Sequence, residues 1–228
     1  DRIKVAHGSL ALLLELACYQ FVTVLFAIGA YFYNFHFFRQ MSEPFFGATV
    51  AIDCTKAYEK AKSISSSFFV YYLHKTLQAV NAIENFRYRI ENDTIVVYDR
   101  IDGSPTIGRS DGTFGFSLTE FHPDFTVFEK NALEEIERIQ NTTGLFTRSF
   151  DSDNLIHFSA LPWLDFTSLS HARSFTFPDS CPKISFGKMV VQNDGSKRMN
   201  MSVHVHHGLM DGLHLGQFVD YFQQIMNE

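Results

Sequence analysis

The sequence predicts a single α/β domain built on a mixed β-sheet. Three observations point there. Apolar residues recur at helical spacing in three places: Phe69, Leu73, Leu77, Val80 and Ile83; Phe125, Phe128, Ala132, Ile136 and Ile139; and Leu215, Phe218, Val219, Phe222, Ile225 and Met226. Short β-rich runs lie between these segments. No internal repeat or linker divides the 228 residues, which are enough to bury one substantial core.

Taken in order, Phe35 to Cys54 reads as a helix end, a turn at Glu43-Pro44 and a strand over Ala48-Thr49-Val50-Ala51-Ile52. Thr55 to Lys62 reads as a short helix with Thr55 as its cap, and the serines 65–67 offer an N-cap to the next helix. Arg87-Tyr88-Arg89-Ile90 and Ile95-Val96-Val97-Tyr98 flank a polar Glu91-Asn92-Asp93-Thr94, the signature of a hairpin. Asp99 to Asp111 holds Gly103, Pro105 and Gly108 with little periodicity, so it reads as a loop. Thr113 to Ser117 reads as a strand, and Pro123-Asp124 opens a helix. After a loop over residues 141–154, Leu155 to Ser159 and Lys183 to Val191 read as strands, and Asn193-Asp194-Gly195-Ser196 as a turn.

Composition narrows the function classes. Hydrophobic residues make up 46% and charged residues 19%, the balance of a folding chain rather than a disordered one. The net charge of −6 with scattered Lys and Arg argues against nucleic acid as a partner. Cys18, Cys54 and Cys181 are odd in number and widely spaced, which fits neither a disulfide framework nor a zinc site and suits a reducing, cytoplasmic setting. The 25 Phe supply flat apolar surface for a core, a ligand pocket or a subunit interface. Ser9 to Tyr33 carries one charge, Glu15, and is long enough to span a bilayer. Glu15, Gln20 and other mildly polar positions argue against a membrane segment. The alternatives are a buried helix or a stretch foreign to the natural protein.

The chemistry concentrates near the end of the chain. Met199, Met201, Val203, Val205 and His207 share one parity, and Asn200, Ser202, His204 and His206 the other. A strand alternates its faces with period two, so His207 falls on the apolar face at a strand end, beside Gly208. A neutral imidazole there suits a general base, because its ordinary pKa of about 6.5 lies near working pH. Asp211 follows four residues later, placed to fix the loop or hold an imidazole tautomer, and Gly212 lets the backbone turn. A histidine on an apolar face is, on its own, more often a satisfied core residue. His204, His206, His207 and His214 are suitable types for a transition metal. However, 204 and 206 face away from 207 and no Cys or Glu joins them, so no metal is expected.

His206-His207-Gly208-Leu209-Met210-Asp211-Gly212-Leu213-His214 resembles the active-site signature of the chloramphenicol acetyltransferases. The general form, His-x-x-x-Asp-Gly, is shared with dihydrolipoyl and plant acyltransferases. Phe158-Ser159-Ala160-Leu161-Pro162-Trp163-Leu164-Asp165-Phe166 resembles a second motif of the family, and further likeness runs through residues 35–228. The resemblance implies a two-layer α/β sandwich and a homotrimer whose active sites lie between subunits. It implies acetyl transfer from acetyl-coenzyme A, a co-substrate rather than a permanently bound cofactor, to a hydroxyl of chloramphenicol, giving antibiotic resistance. It assigns His207 as the base, Asp211 as the structural carboxylate and Ser159 as the oxyanion donor. It also places Phe38, Phe114 and Ser185 at substrate positions, and Trp163 and Lys188 beside coenzyme A. An atypical apolar segment, residues 1–34, precedes the acetyltransferase domain, residues 35–228. The family's arginine partner for the motif aspartate falls at Tyr31 or Phe32, leaving Arg39 or Arg87 as substitutes, or Asp211 protonated or hydrated. Two alternatives stay open: a same-fold acyltransferase with a different acceptor, and a catalytically impaired trimeric binding protein.

Overall fold

The computed structural model describes residues 34–173 and 179–228. The apolar stretch Ser9 to Tyr33 lies outside them, as do Tyr31 and Phe32. Among the described residues no helix is long and apolar enough to cross a membrane. Among the described residues the main elements follow in the order β1 (Phe45–Asp53), α1 (Thr55–Ser63), α2 (Phe68–Ala82), β2 (Tyr88–Glu91), β3 (Thr94–Val97), β4 (Asp102–Gly108), β5 (Phe114–Phe116), α3 (Phe125–Gln140), β6 (Leu155–Ala160), β7 (Lys183–Phe186), β8 (Val190–Val191), β9 (Lys197–His206) and α4 (Gly212–Met226). The main sheet runs β1-β9-β7-β6-β4-β5, with β8 joining β9. The pairs β4–β6 and β6–β7 are parallel, while β1–β9, β7–β9 and β4–β5 are antiparallel. The mixed sheet is therefore present as expected.

One face of the sheet is apolar. Ile156, Phe158, Ile184, Phe186, Met201, Val203 and Val205 are buried there against α2 and α4. Tyr72 and Phe222 meet Phe186 at ring-centroid distances of 4.8 and 5.8 Å. The opposite face is polar, yet Lys183, Ser185, Asn200, Ser202 and His206 are all buried. The connection between β6 and β7 covers it. Asp165 accepts from Arg198 and from Asn200, His171 packs edge-on to His204 at 4.9 Å, and the Arg173 guanidinium lies 3.2 Å above the Phe45 ring. Gly47 sits directly opposite His204 in the β1–β9 register, where a Cβ would come within 2.5 Å of the imidazole. Only a glycine leaves room for the ring.

Local chemistry explains where the sequence reading and the fold part. The stretch read as a loop from Asp99 to Asp111 contains β4, an interior strand. Its glycines and proline carried loop signals, but parallel pairing with β6 overrides them, and the Pro105 carbonyl accepts from both the backbone N–H and hydroxyl of Ser117. Lys183 to Val191 is two strands, interrupted at Gly187-Lys188-Met189. Thr55 does not cap α1. The cap residue is Cys54, the Asp53 carboxylate accepts from the Thr55 N–H, and the Thr55 hydroxyl accepts from Lys197 N–H, tying α1 to β9. Ser67 caps α2 by position without a side-chain bond, whereas Asp124 caps α3 by accepting from Thr126 and Val127. The hairpin forms, but Glu91 and Thr94 pair within its strands, so the turn is two residues rather than four: Asn92 and Asp93, at φ 48° and 63°, the left-handed pair that such a turn requires.

Arg89 is fully buried and donates to four backbone carbonyls, those of Phe86, Tyr88, Asp153 and Leu155. It clamps the start of β6 to the hairpin. Arg89→Met should leave several buried acceptors unpaired and cost about 3 kcal/mol or more in urea unfolding. A loss below about 1 kcal/mol would show that the clamp is dispensable.

Burial pushes the imidazoles of His171 and His206 down to about 4, reinforced by His204 beside the first and Arg173 beside the second. In the unfolded chain a histidine titrates near 6.5. The unfolded state thus binds more protons than the native state below that pH, so stability is lost as pH falls from about 6.5 to 4. Denaturation midpoints stepped across this window should decline, and His171→Asn should make the decline shallower. An unchanged slope would contradict a buried neutral imidazole at 171.

Candidate active site

His207 is the first residue past β9. Its backbone N–H donates to the Pro44 carbonyl at 2.8 Å, which fixes the chain where it leaves the sheet. Its ring lies flat on Phe38, with centroids 3.8 Å apart and planes 8° apart, and tilts against Phe46 at 4.4 Å. Two aromatic walls leave the imidazole little rotational freedom. His207 Nδ1 is buried with no hydrogen-bond partner among the described residues. Phe46 was not singled out in the sequence. It is one of 25 Phe, and its place against His207 depends on the β1–β9 register.

Ser159 and Ser185 are direct neighbours on parallel strands β6 and β7, with their hydroxyls 2.7 Å apart. The register continues outward. Ser185 faces Ser202 on β9, and Ser202 faces Thr49 on β1, so four hydroxyl residues form one row across the polar face. Ser185 and Ser202 are wholly buried, while Ser159 is half-buried at the exposed side of the row. A hydroxyl that shares its hydrogen bond with a second hydroxyl stays oriented and can still donate outward.

These two sets of groups do not meet within one chain. His207 lies five residues beyond Ser202, which at about 3.3 Å per residue is roughly 16 Å along the strand. A base must come within about 3 Å of the proton it takes. The other sequence-predicted residues divide the same way. Phe38 stands with His207. Phe114 lies on β5, at the opposite edge of the sheet from β1, and is 48% exposed. Trp163, 80% exposed, and Lys188 follow the C-terminal ends of β6 and β7, where the Lys188 N–H donates to the Leu164 carbonyl at 2.7 Å. The two sets of residues therefore lie at opposite ends of the sheet.

Asp211 holds the start of a helix. It caps α4, its carboxylate accepting from Leu213 N–H at 2.9 Å. Its own N–H donates to His214 Nδ1 at 3.1 Å, and that nitrogen lies 2.9 Å from the carboxylate. Neither proposed arginine reaches it: Arg39 pairs with Asp93, and Arg87 donates to the Tyr98 carbonyl. The position of the family arginine falls outside the described residues.

A family model described as chloramphenicol acetyltransferase matches residues 25–223. A chloramphenicol acetyltransferase of Bacillus pumilus is 27% identical over 194 residues, covering 85% of this chain and 88% of that one. Chloramphenicol acetyltransferase 3 of Escherichia coli is 29% identical over 197 residues, covering 85% and 91%. A solved chloramphenicol acetyltransferase superposes with a TM-score of 0.77 at 31% identity, covering 85% of this chain and 93% of that one. The dihydrolipoamide acetyltransferase of Azotobacter vinelandii shares the fold at a TM-score of 0.63 and 12% identity. The paired histidines, the serine row and a match running almost from end to end agree, and the chain belongs to the chloramphenicol acetyltransferase family.

Proposed function

We propose that the protein transfers the acetyl group of acetyl-coenzyme A to a hydroxyl of chloramphenicol, with His207 as general base, in a homotrimer whose sites form between chains. The observation that supports this most directly is the separation of His207 from Ser159. An acyl transfer using both needs them within a few ångström, and one chain holds them roughly 16 Å or more apart along the sheet. Half-sites on two different surfaces of one chain match each other only head to tail, and a head-to-tail contact that closes makes a ring. The acetyltransferase unit is residues 35–228, and the setting is the cytoplasm.

In this reading the His207 imidazole takes the proton of the acceptor hydroxyl as its oxygen attacks the thioester carbonyl. The carbonyl electrons move onto oxygen, and the Ser159 hydroxyl, held by Ser185, donates to that oxyanion. Collapse of the tetrahedral intermediate breaks the carbon–sulfur bond, and the imidazolium protonates the departing thiolate. The aromatic walls Phe38 and Phe46 give the base an apolar neighbour suited to an aromatic acceptor. Phe114 lines the acceptor side from the adjoining chain. Trp163 and Lys188 lie where the coenzyme arm enters, Trp163 as flat apolar surface and Lys188 as a cation for phosphate. Asp211 acts by holding the start of α4 and the turn before it.

The direct test is thiol release with chloramphenicol and acetyl-coenzyme A. His207→Ala should lose at least about 10²–10⁴-fold in kcat, and Ser159→Ala about 10²–10³-fold. Retention of the wild-type rate by folded His207→Ala would remove it as the base.

A second test addresses the assembly. His207→Ala and Ser159→Ala protein, each nearly inactive, should regain activity when unfolded together and refolded as a mixture, because some sites then combine an intact His207 with an intact Ser159. No recovery from a mixture that has exchanged subunits would place both residues in the same chain's site.

A further inference from the structure

The residue before the base has its own job. His206 ends β9 and is 4% exposed. Its Nδ1 accepts from the Gly208 N–H at 3.0 Å, so its side chain bonds across His207 to the backbone on the far side. Its carbonyl accepts from Leu209 N–H at 2.9 Å and from Met210 N–H at 3.2 Å. Asn85, from the segment after α2, reaches the same turn and donates its Nδ2 to the Leu209 carbonyl at 3.0 Å. The fit around the ring is close: a Cβ on Gly208 would lie 2.9 Å from His206 Cε1 and 3.1 Å from Nδ1. The His206 ring also meets Phe45 edge-on at 5.6 Å.

We infer that His206, helped by Asn85, is a positioning residue that sets the backbone turn presenting His207, without itself touching substrate. This rests on His207 being the base. To accept from Gly208, Nδ1 must carry no proton, so His206 works as the neutral ring protonated on Nε2. Its burial beside Arg173, which pushes its pKa down to about 4, keeps it in that form through the working range. Without the Nδ1 acceptor, the Gly208 N–H is left buried and unpaired and the turn relaxes toward another partner. A base displaced by about 1 Å costs on the order of 10²-fold in rate.

The experiment compares wild type, His206→Leu, His206→Asn, Asn85→Ala and His207→Ala by kcat and by KM for chloramphenicol and acetyl-coenzyme A, with thermal melts alongside. An asparagine at 206 places an acceptor oxygen near the Nδ1 position, whereas leucine fills the space without one. His206→Leu should lower kcat by about 10²-fold with both KM values within about threefold of wild type, and His206→Asn should restore most of that loss. Asn85→Ala should lower kcat in the same manner. It also reads the same turn should His206→Leu fail to fold. Equal impairment of the leucine and asparagine variants would overturn the acceptor role. Full activity of His206→Leu beside an inactive His207→Ala would overturn positioning alone. Full activity of His207→Ala would overturn the base and its positioning together.

Discussion

Much of this molecule follows from the length and straightness of β9. It pairs with β1 over nine residues on one side and with β7 over four on the other. It therefore fixes both the place of the serine row and the place of His207. An extended strand cannot fold back on itself, so the level of Ser202 and the level of His207 stay roughly 16 Å apart however the side chains repack. The pleat adds a second constraint: the serine row opens on the polar face, and Val205 and His207 take the parity of the apolar face. In the proposed reading a strand that carries both halves of a reaction site keeps them apart, and the chemistry would become a property of contacts between chains.

What the sequence made legible was local. The period-two alternation from Met199 to His207 placed His207 at a strand end on the apolar side, and that is where it lies. The helices around Leu73 and Phe218 followed from their spacing, and the hairpin around Asn92-Asp93 from its chemistry. What it hid depended on pairing. β4 was masked by Gly103, Pro105 and Gly108, residues that weaken an isolated strand but are held in place by parallel pairing with β6. The Thr49-Ser202-Ser185-Ser159 row comes from four strands spread over more than a hundred residues, and no short window of sequence contains it. Phe46 and Asn85 were invisible for the same reason, since each gains its meaning from a partner more than a hundred positions away. Asp211 was legible as a residue that fixes a loop, and its real partners are its own helix N-terminus and His214.

The polar face is costly to build. Lys183, Asn200 and His206 are taken from water and given fixed partners: Lys183 pairs with Asp179 at 2.6 Å, Asn200 bonds Asp165 and the Phe166 carbonyl, and His206 accepts from the Gly208 N–H. Buried polar groups are tolerable when their bonds are made, and here most of those bonds run to the covering connection between β6 and β7. That connection carries Trp163 and leads to the strand that carries Ser185. The same bonds that satisfy the sheet's polar face thus hold the serine hydroxyls at a defined height, while Arg89 grips the start of β6. The fold tolerates much substitution elsewhere, as its persistence in a dihydrolipoamide acetyltransferase at 12% identity indicates.

The proposed division into two half-sites also bears on inheritance. In the trimer proposed above, each working site in a population of mixed rings would draw one intact half from each of two neighbouring chains. A copy damaged in one half spoils one site. A copy damaged in both halves that still assembles spoils two, so the surviving fraction of sites falls as the square of the intact fraction of chains. Such a copy poisons good neighbours rather than merely diluting them, and a cell carrying one sound and one doubly damaged gene keeps less than half its capacity. Lesions that prevent folding would remove the chain from assembly altogether and be recessive by comparison.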